Sequence, residues 1–122
     1  MTARIFCVRV NKQGDEYDYM EFDLVNDVFF VSIYRPKRVG DGILILHTKY
    51  GEYHWINTLA GARKLWSGYG FVALDTVNVV NLNKVVAANP DEKMVYFKDG
   101  SSTTVSKKKI HLVQHLPRWR ER

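Results

Sequence analysis

The stretch Val95–Leu116, VYFKDGSSTTVSKKKIHLVQHL, combines two β-rich runs, a turn signal and an amphipathic segment. The runs KMVYFK and STTVS are rich in β-branched and aromatic residues, and Asp99-Gly100 between them is a strong hairpin signal. Beyond them, Ile110, Val113 and Leu116 recur at helical spacing, which predicts a terminal helix that starts after Ser106 and stops at Pro117. Ser106 reads as its N-cap. The first turn is then Lys107-Lys108-Lys109, against the local rule: each cation at the positive end of a helix dipole costs about 0.3–1 kcal/mol. An anion would make that placement intelligible, because lysine ammoniums and free backbone N–H groups would converge on one phosphate. A lysine patch kept for solubility explains the same residues without a ligand.

Working outward, most of the chain reads as strands. ARIFCVRV alternates, NKQGDE supplies turn chemistry, and YDYMEFDL alternates again, which predicts a hairpin. Strands are expected near 27–34, 42–48 and 52–57, the last two joined through KYGE with Gly51 at the turn. TLAGARKLWSG breaks the alternation: Leu59, Ala62 and Trp66 fit a short helix, with Asn57 or Thr58 as cap and Gly68 after the last turn. NVVNL and KVVAA are strand-like once more. No linker, low-complexity segment or repeat divides the chain, so residues 1–122 are read as one domain.

The net charge of +5 is unevenly placed. Residues 1–33 carry three basic and six acidic groups, whereas residues 34–122 carry fifteen and seven. That asymmetry points to an anionic partner, nucleic acid ahead of a membrane surface because no basic amphipathic helix stands out. No apolar run approaches the roughly 18 residues of a membrane helix, and the N-terminus has no h-region with a cleavage site, so a cytoplasmic location is expected. The lone Cys7 forms no internal disulfide and lies where a small buried hydrophobe belongs.

Catalytic and metal patterns were sought and are not predicted. His111 and His115 are four apart, as a metal pair on a helix would be, but no carboxylate or cysteine in that segment completes a site. His47 and His54 sit on hairpin-linked strands. A nucleophile elbow, a Walker loop and a Rossmann glycine set are missing, so no enzyme, cofactor or metal is expected. The segment Ile33–Gly40, IYRPKRVG, puts Arg35, Lys37 and Arg38 between two core-like runs. Pro36 lacks a ladder donor, so this segment should leave the sheet as a loop, serving either an anion or the protection of a sheet edge.

The order of these features resembles the LytTR DNA-binding domain, the output module of many bacterial response regulators. LHTKYGEYHWINTLAGARKLW is similar to the family's strand, turn, strand and helix; GFVALDTVNVVNLNKV to its phenylalanine-led segment ending in Val-Asn; and VYFKDGSSTTVSKKKIHLVQHL to its last hairpin, Ser-basic turn and final helix. LVNDVFFVSI resembles an early strand, so the likeness covers nearly the whole chain.

The resemblance implies a mainly β fold, an elongated arrangement of short antiparallel sheets with one short internal helix and a C-terminal helix. It implies DNA reading by loops, with candidate contacts at Arg35, Lys37, Arg38, Asn78, Asn81, Lys107, Lys108 and Lys109. Asn81 would contact bases or organise the site, and Lys108 or a neighbour would replace an arginine reader; asparagine suits adenine and lysine suits guanine or phosphate. A turn-stabilising role is the other reading of Asn81. The implied partner is double-stranded DNA, carrying direct repeats occupied by two copies and bent on binding.

One departure matters. Where the family has an Arg-x-His-Arg-Ser-Tyr-like stretch, this chain has Ala73, Leu74, Asp75, Thr76, Val77 and Asn78. An acidic group near phosphates costs affinity, so either this segment has moved off DNA or the RPKR loop supplies the missing attraction. The competing expectation is a protein-interaction module that antagonises another regulator after losing much of its DNA-binding face. Trp119 has two readings, a stacking partner or a cover for the core edge.

Overall fold

Two glycines fix two of the hairpins. Gly51 at φ +114° and Gly100 at φ +86° occupy a region that a Cβ disfavours, and each lies in a tight connection between paired strands. The computed structural model describes residues 4–34, 43–55 and 59–119.

Seven strands, β1 (Arg4–Arg9), β2 (Tyr19–Asp23), β3 (Val28–Tyr34), β4 (Ile43–Thr48), β5 (Gly51–Trp55), β6 (Phe71–Val72) and β7 (Asn78–Asn81), form one sheet in the order β2-β1-β5-β4-β3-β7-β6. Strands β8 (Val85–Asn89), β9 (Met94–Phe97) and β10 (Ser102–Thr104) form a second in the order β10-β9-β8. Every strand pairing in both sheets is antiparallel. The one-turn helix α1 (Leu24–Asp27) precedes β3, and α2 (Leu59–Trp66) follows β5.

The strand period sorts side chains into two cores. Val79 and Val80 are neighbours in β7 and face opposite ways, so each falls in a different cluster. On one face Cys7, Phe22, Leu44, Leu46, Tyr53 and Val79 pack under α2, whose Trp66 stacks on Trp55 at 4.7 Å and meets Phe71 edge-on. On the other, Phe30 and Val80 meet Val95, Phe97, Val105 and Val113 from the second sheet side. Phe97 lies against both Phe29 and Phe30, with ring centroids 5.2 and 5.1 Å away, and so joins the two sheets. Cys7 is 1% exposed and burial pushes its thiol up to about 12, as suits a core hydrophobe.

Both hairpins through Gly51 and Gly100, the β1–β2 hairpin and the internal helix follow the sequence expectation. Four local features differ. The expected strand over 17–24 begins only at Tyr19, because Asp15 and Asp18 accept from Tyr17, Gln13 and Gly14 N–H groups and wind Glu16–Asp18 into a 3-10 turn. Helix α1 went unforeseen: Asp23 accepts from Val25 and Asn26 N–H, while Asp27 accepts from Asp23 N–H, a reciprocal cap built from aspartates. Gly70, at φ +86°, ends the helical region instead of Gly68.

The terminal helix is the largest correction. Residues Lys107–Leu112 form 3-10 turns, and the Ser106 side chain caps nothing. Lys109 N–H closes instead on the Ser106 carbonyl at 2.9 Å. With no α-helix there, the dipole conflict inferred for the three lysines largely disappears. The candidate caps Asn57 and Thr58 lie outside the described residues. After Pro117 the chain runs along β8: Ala88 N–H donates to Pro117 O, Trp119 N–H donates to Ala88 O, and Trp119 stacks on Tyr96 at 4.6 Å.

Because Phe97 bridges the sheets, Phe97→Ala should cost about 3–5 kcal/mol, read as a lower denaturant midpoint at unchanged m. His47, stacked on Phe30 at 4.0 Å, supplies an acid-sensitive term. Its burial holds the imidazole below its ordinary 6.5, against the opposing pull of Glu52 and Asp99. The unfolded chain therefore takes the proton first, so stability present above about pH 6.5 declines as pH falls through the depressed folded value. Thermal melts between pH 7.5 and 5 should show this loss, and His47→Gln should flatten it.

Candidate nucleic-acid interface

The segment between β6 and β7, residues 73–77, is held by side chains from three directions. Asp75 N–H donates to Asn78 Oδ1 at 3.0 Å, and its carboxylate accepts from Thr104 Oγ1 at 2.6 Å and from Thr76 N–H at 2.7 Å. Asn78 Nδ2 donates to Thr103 Oγ1 and Thr104 O, both at 2.8 Å. From α2, Arg63 donates to the Asp75 and Thr76 carbonyls at 3.4 and 3.2 Å. The segment is thereby clamped to β10 and to the helix.

Two further backbone bonds draw the other candidate segments to the same place. Ser106 N–H donates to Leu74 O at 2.8 Å, which sets the Lys107–Lys109 turn beside residues 73–77. Ile33 N–H donates to Val77 O at 3.2 Å, and Tyr34 pairs with Ile43, so the strands that bracket residues 35–42 end against this segment too. Arg35, Lys37 and Arg38 themselves lie outside the described residues. A cleft of about 380 Å³ opens between α2 and the lysine turn, with Arg63, Asp75, Thr76, Ser106 and Lys109 among its lining.

Charge is left over on this side. Lys107 and Lys108 are exposed and Lys109 is half-buried. Among the described residues, the ion pairs involve Arg4, Arg9, His47, Lys49 and Arg118, and none takes up Arg63, Lys64 or the three lysines. The cations of the N-terminal hairpin are neutralised by adjacent carboxylates; those of the lysine turn are available to an anion.

The asparagines require a correction. Asn78 and Asn81 are both 0% exposed, so in this conformation neither amide reaches a base edge. Asn78 serves the clamp. Asn81 Nδ2 donates to Val25 O and Val28 O at 2.9 and 3.0 Å, closing α1 and the start of β3 onto β7, while its Oδ1 is buried without a protein donor. Asp75, expected to repel phosphate, has both carboxylate oxygens engaged internally. Arg63 was missed; its signal was an exposed basic pair, Arg63-Lys64, in the last turn of the predicted helix.

Comparison with known proteins places this architecture. A sequence model described as the LytTr DNA-binding domain matches residues 24–117. A solved structure from Bacillus cereus, described as the LytTr DNA-binding domain of a methyl-accepting/DNA response regulator, superposes with a TM-score of 0.66 at 14% identity, over 89% of this chain and 91% of that one. No curated protein matches the sequence.

Asn81→Ala would leave two buried carbonyls without their donor. It should cost about 1–3 kcal/mol in chemical denaturation, the penalty of unsatisfied buried polar groups. Loss of DNA affinity from this variant should track its loss of folded fraction.

Proposed function

Because the chain belongs to the LytTr DNA-binding domain family, we propose that it is a transcriptional regulator that grips double-stranded DNA with the face built from residues 73–77, the Lys107–Lys109 turn and the basic segment Arg35-Pro36-Lys37-Arg38. The observation that carries this reading is the convergence of those segments through the Ser106–Leu74 and Ile33–Val77 backbone bonds, with the lysine turn free of carboxylate partners among the described residues.

In this reading the cations do two jobs. Lys107, Lys109 and Arg63 neutralise phosphates and release counterions. Lys108 and either Arg35 or Arg38 read base edges, guanine being the natural partner. Asn78 and Asn81 organise the face from beneath it. Two copies sit on direct repeats in the cytoplasm, and the RPKR segment supplies attraction that Ala73 and Thr76 no longer give.

The competing interaction-module reading drew its motive from Asp75. That carboxylate is occupied by Thr104 and Thr76, which leaves it a structural part to play on a DNA-binding face.

If about six phosphates are neutralised, log K should fall against log salt with a slope near −5 in gel-shift titrations. Replacing Lys107, Lys108 and Lys109 with Ala should weaken binding and reduce the slope by roughly 3. Replacing Arg35, Lys37 and Arg38 with Ala should do the same. A salt-independent affinity, or triple variants that retain both affinity and slope, would favour the interaction module.

A further inference from the structure

Away from the basic face, three side chains on neighbouring strands form a connected polar line in a mostly apolar setting. Ser32 Oγ lies 2.9 Å from His47 Nε2, and His47 Nδ1 lies 3.3 Å from Glu52 Oε2. The register explains the alignment: Ser32 faces Ile45 across β3 and β4, and His47 faces Glu52 across β4 and β5. The imidazole is stacked nearly parallel on Phe30, with planes 11° apart, so it cannot swing freely. A cavity of about 440 Å³ opens here, lined by Val10, Ser32, Ile33, Ile45, His47 and Glu52.

The tautomer follows from the partners. A carboxylate only accepts, so Nδ1 carries the proton that faces Glu52. In the neutral ring Nε2 then holds a lone pair, and the Ser32 hydroxyl donates to it. A hydroxyl bonded to an imidazole that a carboxylate orients is the arrangement that activates a serine nucleophile.

We propose that Ser32 is a self-acylating residue that accepts a short aliphatic acyl group from an activated acyl donor, with His47 as general base and Glu52 as its positioning residue. Oγ attacks the donor carbonyl carbon while its proton passes to Nε2. The bond from that carbon to the leaving group then breaks, the leaving group departs with the electron pair, and the imidazolium returns its proton to solvent. Val10, Ile33 and Ile45 supply the apolar wall for the chain of the acyl group. Strand β3 is laddered to β4 on one edge and β7 on the other, so its N–H groups near Ser32 are not free to hold an oxyanion. The product is therefore a persistent acyl-serine, formed once per chain, with no sustained hydrolysis.

The probe is p-nitrophenyl butyrate, with nitrophenolate release giving the rate and peptide mass spectrometry giving the site. The full chain should acquire one butyryl group at Ser32. Its rate should rise as His47 deprotonates below about pH 6.5 and level above it. Ser32→Ala should abolish that adduct, and His47→Gln should slow it at least about 100-fold at unchanged circular dichroism. Adducts confined to lysines, or a Ser32 rate that His47→Gln leaves unchanged, would overturn the proposal. Should His47→Gln fail to fold, the unmodified chain decides: a rate that climbs with hydroxide throughout, without a plateau, rejects it.

Discussion

The contact on which the basic face depends is the one between Asp75 and Thr104, 2.6 Å long and reinforced by Asn78. It joins the first sheet to the second at the point where residues 73–77 cross between them. With the carboxylate satisfied there, the segment holds a fixed path, and the two bonds that bring β3 and Ser106 alongside have a fixed platform to reach. A substitution that looked like electrostatic damage in the sequence is, in the folded chain, a fastening. Asp75 contributes hydrogen bonds within the protein where a basic residue would contribute attraction to phosphate.

What the sequence made legible is what local chemistry dictates. Gly51 and Asp99-Gly100 marked turns because few residues tolerate their backbone, and alternation marked the strands because a half-buried sheet demands it. The terminal segment misled because its apolar spacing at 110, 113 and 116 serves a 3-10 path as well as an α-helix over so short a span. Ser106 looked like a cap, yet its backbone N–H had a stronger claim on Leu74 O, a residue thirty-two positions away. No local rule could have shown that.

The site was legible in part, for a related reason. Lysines are surface residues in nearly any context, so reading Lys107–Lys109 as exposed charge carried little risk. Asparagine is not so constrained. Its amide can face a base or satisfy buried carbonyls with equal chemical ease, and only the long-range pairing of β7 with β3 reveals that Asn81 closes on Val25 and Val28. Arg63 was hidden by the converse: a charge on an exposed helical turn is ordinary, and its purchase on the 75–76 carbonyls needs the fold to be seen.

The short second sheet also has its margins closed in two different ways. Along β8, the passage from Pro117 to Trp119 takes up Ala88 on both its N–H and its carbonyl. Beside β10, Asn78 and Asp75 occupy Thr103 and Thr104. Neither border is left as an open template for strand addition, so growth by stacking further chains onto this sheet is discouraged at both ends. The chain's last turn and its clamp thus act together as stoppers against polymerisation, a useful property for a protein that reaches high local concentration wherever several copies gather.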